Sequence, residues 1–280
     1  MASILALLSS ALWGSADYQA GNLSKKFPAI AVLGTTQAIG LLTGLFLVVV
    51  NGEWSAEAFG TGGYFWPGVF AGLFGYAGLM CLYAGLSTGR MGVVSPISAL
   101  SALLPFGYAV IVKDNNLTSI VLFGALLAIA GGFFTSGPEV SQGLPLKPIL
   151  LALGAALGFG SALIAMAIGS EGSALATMTM MRATTFIPSL ILFAKFRGVG
   201  GLGRKELPSL LFIGIADFLA NLLLGVATTK GILALAMVLG ALYPVATVLL
   251  AFYFLNERLH KVQYFGIACA VVGVAIISAF

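Results

Sequence analysis

Uninterrupted apolar stretches long enough to cross a membrane constrain this chain more than any other feature. Charge-free runs occupy residues 27–52, 58–89, 91–112, 115–138, 148–170, 231–256 and 262–280. A helix needs about 20 apolar residues to cross a hydrocarbon core. Three further runs qualify when one embedded charge is allowed: 1–21 with Asp17, 173–194 with Arg182, and 207–229 with Asp217. The pattern predicts an all-α integral membrane protein of ten spans, with helices at 2–21, 28–50, 65–86, 92–112, 119–136, 148–169, 174–194, 208–228, 231–254 and 262–279. Composition agrees, since 60% of residues are apolar and 8% charged, against about one quarter charged in a soluble domain.

Neither the ten-residue alternation of a β-barrel nor a cleavable leader before a soluble remainder describes this pattern. Cys81 and Cys269 both fall inside apolar helices, where a thiol behaves as a small hydrophobe. With one histidine and two distant cysteines, no metal site has its ligands. Phosphate-binding loops of the Gly-x-x-x-x-Gly-Lys-Ser/Thr kind are absent. No cofactor is expected, and the net charge of +4 is a matter of topology and lipid headgroups rather than nucleic acid.

Charge placement gives an orientation. Odd-numbered loops hold Lys25, Lys26, Arg90, Lys147, Lys195, Arg197, Arg204, Lys205, Arg258 and Lys261, whereas even-numbered loops hold Lys113 and Lys230. By the positive-inside rule the odd loops face the cytoplasm. A chain of ten spans in the inner membrane would then have both termini extracytoplasmic.

The chain also repeats itself. "LALLSSALWGSA" at 5–16 lies over "LALGAALGFGSA" at 151–162, identical at both ends and with Phe159 under Trp13. "SALLP" at 101–105 lies over "GALYP" at 240–244, and "FGALLAIAGG" from 123 over "FGIACAVVGV" from 265. Residues 1–136 and 148–280 therefore read as one five-helix unit written twice, joined by a Gly- and Pro-marked linker at 137–147. Five is odd, so the second copy enters the membrane from the opposite side. That is the inverted-repeat plan of secondary transporters, with sites near the midplane between the halves.

Three segments, "SALWGSAD" from 10, "STGRMGVVSPISALSALLP" from 87 and "GALYPVATVLLAFYFLNERLHKVQYFGIACAVVGVAII" from 240, resemble EamA-type members of the drug/metabolite transporter superfamily. The resemblance spans nearly the whole chain and is strongest at its C-terminal end. It implies a ten-helix transporter of two inverted five-helix repeats, commonly exporting amino acids or other small metabolites. Many members have cytoplasmic termini, whereas the loop charges here point the other way.

Arg182 is the most expensive residue in the chain. An arginine at helix centre should face the bundle interior and have a partner. Asp217, near the middle of the next helix, can lie at similar depth. Two readings stay open: a permanent ion pair locking the two helices, or a pair that lines a cavity and exchanges partners with substrate. Guanidinium grips a carboxylate bidentately, so an amino acid, with one ammonium and one carboxylate, suits such a pair. Asn221 follows Asp217 at i+4 on the same face, and Gln37 falls under Arg182 when the two copies are aligned. Either amide can equally serve as interhelical glue.

Asp17 shares a face with Trp13 and Ser10 and is either a cavity residue or an interfacial anion near Lys25 and Lys26. Tyr76 and Tyr83, at i+7 on one helix, and Tyr243 are candidates to line the pathway or simply to pack. Pro105 and Pro244 occupy matched positions and should kink their helices, leaving carbonyls for neighbours such as Ser98 and Ser101. The expectation is a secondary active exporter working by alternating access, with proton coupling through Asp217 or Asp17. A passive facilitator or a lipid- or drug-handling protein is the alternative. A membrane-embedded enzyme lacks the paired carboxylates or histidine cluster its chemistry needs. Expected partners are a small-molecule substrate and membrane lipids, with the chain a monomer or weak homodimer.

Overall fold

The computed structural model describes residues 1–53, 56–88, 91–137, 146–196, 200–255 and 259–279, and all their regular structure is helical. The helices are α1 (Ala2–Ser24), α2 (Ala29–Asn51), α3 (Phe65–Thr88), α4 (Met91–Ala99), α5 (Leu103–Ile111), α6 (Ser119–Thr135), α7 (Leu146–Phe196), α8 (Leu207–Thr229), α9 (Leu233–Gly240), α10 (Tyr243–Leu255) and α11 (Lys261–Ala279). Among the described residues six segments are long and apolar enough to cross a membrane, and Pro96–Ile111 and Ser119–Thr135 are shorter apolar helices. The chain is a multi-pass membrane protein. The linker proposed at 137–147 lies mostly outside the described residues.

Local chemistry sets several helix ends. Pro28, at φ −56° and ψ 125°, precedes α2, where its missing N–H leaves no donor unsatisfied. The same helix stops at Gly52, whose left-handed φ of 71° lets its N–H reach back to the Val48 and Val49 carbonyls. Thr118 caps α6 by accepting the Val121 N–H at 3.4 Å.

The two matched prolines break their helices rather than bending them. A 3₁₀ turn, Leu100–Ala102, separates α4 from α5, and Ala241 and Leu242 separate α9 from α10. Pro105 and Pro244 then fall in the first turn of the helix that follows, where no intrahelical donor is required. The continuous helices expected at 92–112 and 231–254 are therefore each two pieces.

α7 joins the helices expected at 148–169 and 174–194 through one non-helical residue, Ser173, at φ −151° and ψ 111°. The chain folds back there. A Cβ on Gly169 would meet the Thr177 side chain at 2.6 Å, whereas eight residues of straight helix would separate these by about 12 Å. Against α3, Gly68 and Gly72 face Met180 and Thr184 in parallel order, while Gly75, Gly78 and Gly85 face Ala162, Phe159 and Leu151 in reverse. The first arm (146–172) thus runs antiparallel to α3 and to the second arm (174–196). Ser173 Oγ accepts the Ala176 N–H at 3.0 Å and so caps the second arm.

The remaining packing positions the site. α2 lies antiparallel on the second arm of α7, with Gly34, Gly40 and Gly44 facing Ser189, Arg182 and Thr179. α1 packs between α8 and α10; Gly14 sits so close that a Cβ would fall 2.5 Å from Ala246 Cβ and 2.8 Å from the Thr247 nitrogen. α6 pairs antiparallel with α11 through Gly131 against Ala270 and Gly273 against Ala128. Small residues let these backbones approach. Phe218, Met166, Met178, Leu224 and Met237 fill the interior, whereas Leu42, Phe46 and Val49 form an exposed apolar stripe on α2. An outward stripe of that kind fits acyl chains as its surroundings.

Candidate functional site

The site is built around Arg182, which is 5% exposed. Its Nη2 donates to Asp217 Oδ2 on α8 at 2.6 Å, and its Nη1 donates to Gln37 Oε1 on α2 at 2.8 Å. Gly40, one turn beyond Gln37, leaves room for the guanidinium, since a Cβ there would stand 3.4 Å from Arg182 Nε. That Nε is buried without a hydrogen-bond partner among the described residues.

Asp217 is the hub of the cluster. Besides the guanidinium, its Oδ1 accepts the Trp13 Nε1–H of α1 at 3.0 Å and the Asn221 amide at 3.4 Å. Asn221 Nδ2 also donates to the Asp217 carbonyl at 2.7 Å. Three donors around one carboxylate, from Arg182, Trp13 and Asn221, are what a charge away from bulk water requires. The Asp217 side chain remains 28% exposed. The guanidinium is thus the sealed member of the pair and the carboxylate the accessible one.

Asp17 joins the cluster. It is exposed, and its electrostatic neighbours are Asp217 and the Tyr243 hydroxyl. Tyr243 stands edge-on to Trp13, with centroids 6.1 Å apart and planes at 72°. Trp13 and Tyr243 therefore form an aromatic wall beside two carboxylates. α1 is held in place one turn earlier, where Ser9 Oγ donates to the Ala220 carbonyl at 2.7 Å.

The structure brings Arg182, Asp217, Asn221, Gln37, Asp17, Trp13 and Tyr243 together. It does not bring Ser98, which is buried and donates to the Val94 carbonyl of its own helix at 2.9 Å. Tyr76 is half-buried on α3, with no described hydrogen bond to the cluster. The Tyr83 side chain lies outside the described residues. Thr185 is a member that the sequence reading missed: its Oγ1 donates to the same Gln37 Oε1 at 2.8 Å. No sequence signal marked it, since a threonine in a helix ordinarily bonds to its own backbone. Among the described residues, no group of His, Cys, Asp and Glu could hold a metal ion.

The network buries one guanidinium between the Asp217 carboxylate and the Gln37 amide where α1, α2, α7 and α8 meet. Comparison with known proteins gives the family. The model of the EamA-like transporter family matches residues 1–137 and 146–279, and the chain belongs to that family, a family of membrane transporters of small molecules. One solved crystal structure is similar with a TM-score of 0.82 at 18% sequence identity, covering 98% of this chain and 94% of that one. At that identity the likeness shows a shared fold alone. No curated protein matches the sequence.

Proposed function

We propose that the chain is a secondary active transporter that exports amino acids or similar small metabolites by alternating access. The observation that carries this reading is the Arg182–Asp217 pair, 2.6 Å apart, lying beside the exposed carboxylate of Asp17. An amino acid supplies both charges needed to exchange partners: its ammonium replaces the guanidinium at Asp217, and its carboxylate takes the freed Nη2. Arg182 Nε, already without a partner, adds the second tooth of a bidentate grip. Proton coupling through Asp17 or Asp217 is part of the proposal.

The proposed scaffold is ten spans in two inverted copies, 1–136 and 148–280. α1, α2, α3, α4 with α5, and α6 make the first copy; the two arms of α7, α8, α9 with α10, and α11 make the second. Helix pairing supports it. Exchanging the copies turns the α1–α8 contact into that of the first arm of α7 with α3, and both pairs are antiparallel. α2 with the second arm, and α6 with α11, map onto themselves, and antiparallel packing is what an inverted repeat demands of such pairs. Gln37 and Arg182, the residues aligned between the copies, touch each other. The family model also matches in two stretches.

Proteoliposome flux of a labelled amino-acid panel tests the function. The proposal expects flux against a gradient that a protonophore abolishes, and a loss of flux in Arg182→Gln and Asp217→Asn. Downhill flux indifferent to pH would leave a passive facilitator instead. Orientation, proposed with both termini extracytoplasmic in the inner membrane, is read by C-terminal fusions: high alkaline phosphatase activity and dark green fluorescent protein.

A further inference from the structure

One end of the molecule is held shut by contacts that all run between the first half of the chain and the second. Lys113, after α5, pairs with Glu171 at the end of the first arm of α7, Nζ to Oε1 at 2.6 Å. Ser173 Oγ donates to Glu53 Oε2 at the end of α2. Asn115 Oδ1 accepts the Ala234 N–H that opens α9, at 3.2 Å. Gly172 abuts the Gly62 carbonyl, and a Cβ on Gly231 would stand 2.6 Å from Ala2 Cβ. Lys113 and Glu171 themselves line a cavity of about 140 Å³, with Tyr108, Asn115, Thr228 and Leu233.

The arrangement has the parts of a releasable closure. Lys113 and Glu171 are 36% and 58% exposed in their side chains, so water can solvate each when they part and separation carries no burial penalty. Ser173 is both the reversal point of α7 and the cap of its second arm, the helix that carries Arg182. Moving Glu53 away from Ser173 therefore acts on the element holding the guanidinium. Asp17 lies in the half of α1 remote from this end.

We propose that the Lys113–Glu171 pair, with the Ser173–Glu53 hydrogen bond beside it, is the latch of this end of the transporter, and that the cavity the pair lines is the vestibule that widens when it releases. The proposal rests on the alternating-access reading. Closure is a two-state equilibrium, and an exposed ion pair biases it by about two- to fivefold. A bias of that size holds a gate without freezing it.

The test uses the full chain in detergent micelles, with Cys81→Ser and Cys269→Ser and one reporter thiol, Thr228→Cys, in the vestibule wall. The rate of modification by a hydrophilic maleimide reports opening. Lys113→Gln and Glu171→Gln should each raise that rate by about two- to fivefold, and Glu53→Ala should raise it further. The charge swap Lys113→Glu with Glu171→Lys should return it to the parent rate, which a merely misfolded variant would not do. Rates unmoved by both single neutralisations, or a swap as fast as the singles, overturn the latch. The labelling needs no substrate, so a failure to find flux counts against the transport reading and leaves this result standing.

Discussion

Arg182 on α7 donates through Nη1 to Gln37 Oε1 on α2 at 2.8 Å, joining the two positions that coincide when the halves of the sequence are laid over one another. The copies have diverged at this point into a donor and an acceptor. A charge on both sides would repel across the contact, and an amide on both sides would leave Asp217 without its cation. The asymmetry lets one guanidinium tie α2, α7 and α8 together.

That network predicts unequal damage from its two charges. Asp217→Asn leaves the guanidinium, 5% exposed, buried with weaker acceptors, and breaking a buried pair from this side should lower stability by about 3–5 kcal/mol. Arg182→Gln leaves a carboxylate that is 28% exposed and still holds Trp13 and Asn221, so the loss should be about 1–3 kcal/mol. The double substitution should fall short of the sum. Melting curves of the four proteins in detergent check the order; equal losses would contradict it.

Glycine contacts give a second prediction. Gly14→Ala places a methyl 2.5 Å from Ala246 Cβ and 2.8 Å from the Tyr243 carbonyl, and should lower stability by about 1–3 kcal/mol through overpacking. Gly107 has nothing within 4 Å of where its Cβ would stand. Gly107→Ala should be neutral or stabilising by up to about 1 kcal/mol from helix propensity alone. The two melting temperatures should move apart.

The latch has a pH signature. Hydrogen bonding to Glu171 holds the Lys113 ammonium above its ordinary pKa of 10.5, with Coulomb attraction from Glu171 and Tyr108 adding to it and desolvation opposing. A raised pKa means the contribution is whole below the ordinary lysine value and lost as pH rises through the shifted one. The labelling rate of Lys113→Gln relative to the parent, a ratio in which the intrinsic reactivity of the reporter thiol cancels, should therefore stay constant through neutral pH and approach one only above about 10.5. A ratio that collapses near neutrality would contradict the pairing.

The sequence made several of these residues legible because charge is scarce in apolar helices: Arg182, Asp217 and Asp17 stand out, and each needs a partner. Asn221 followed from helical spacing, and Gln37 from the alignment of the copies. Thr185 was not legible, since a threonine in a helix usually bonds to its own backbone, as Thr179 does with the Leu175 carbonyl at 2.8 Å. Ser98, expected near the proline-freed carbonyls, does the same. The latch could not be read at all: Lys113 and Glu171 lie 58 residues apart, and only the packing of α5 against the first arm of α7 brings them together. The matched prolines announced a disturbance, but its position, a turn ahead of each ring, depends on how neighbouring helices pack.

Flux through a variant neutralised at Asp17 tests the central claim most directly. Asp17 is exposed and accepts no hydrogen bond among the described residues, so Asp17→Asn should leave the melting temperature in place. If the accessible carboxylates beside Arg182 form the path of the substrate, amino-acid flux in proteoliposomes should fall at least tenfold, about 1.4 kcal/mol of lost interaction. Full flux in a normally folded Asp17→Asn protein would contradict the account.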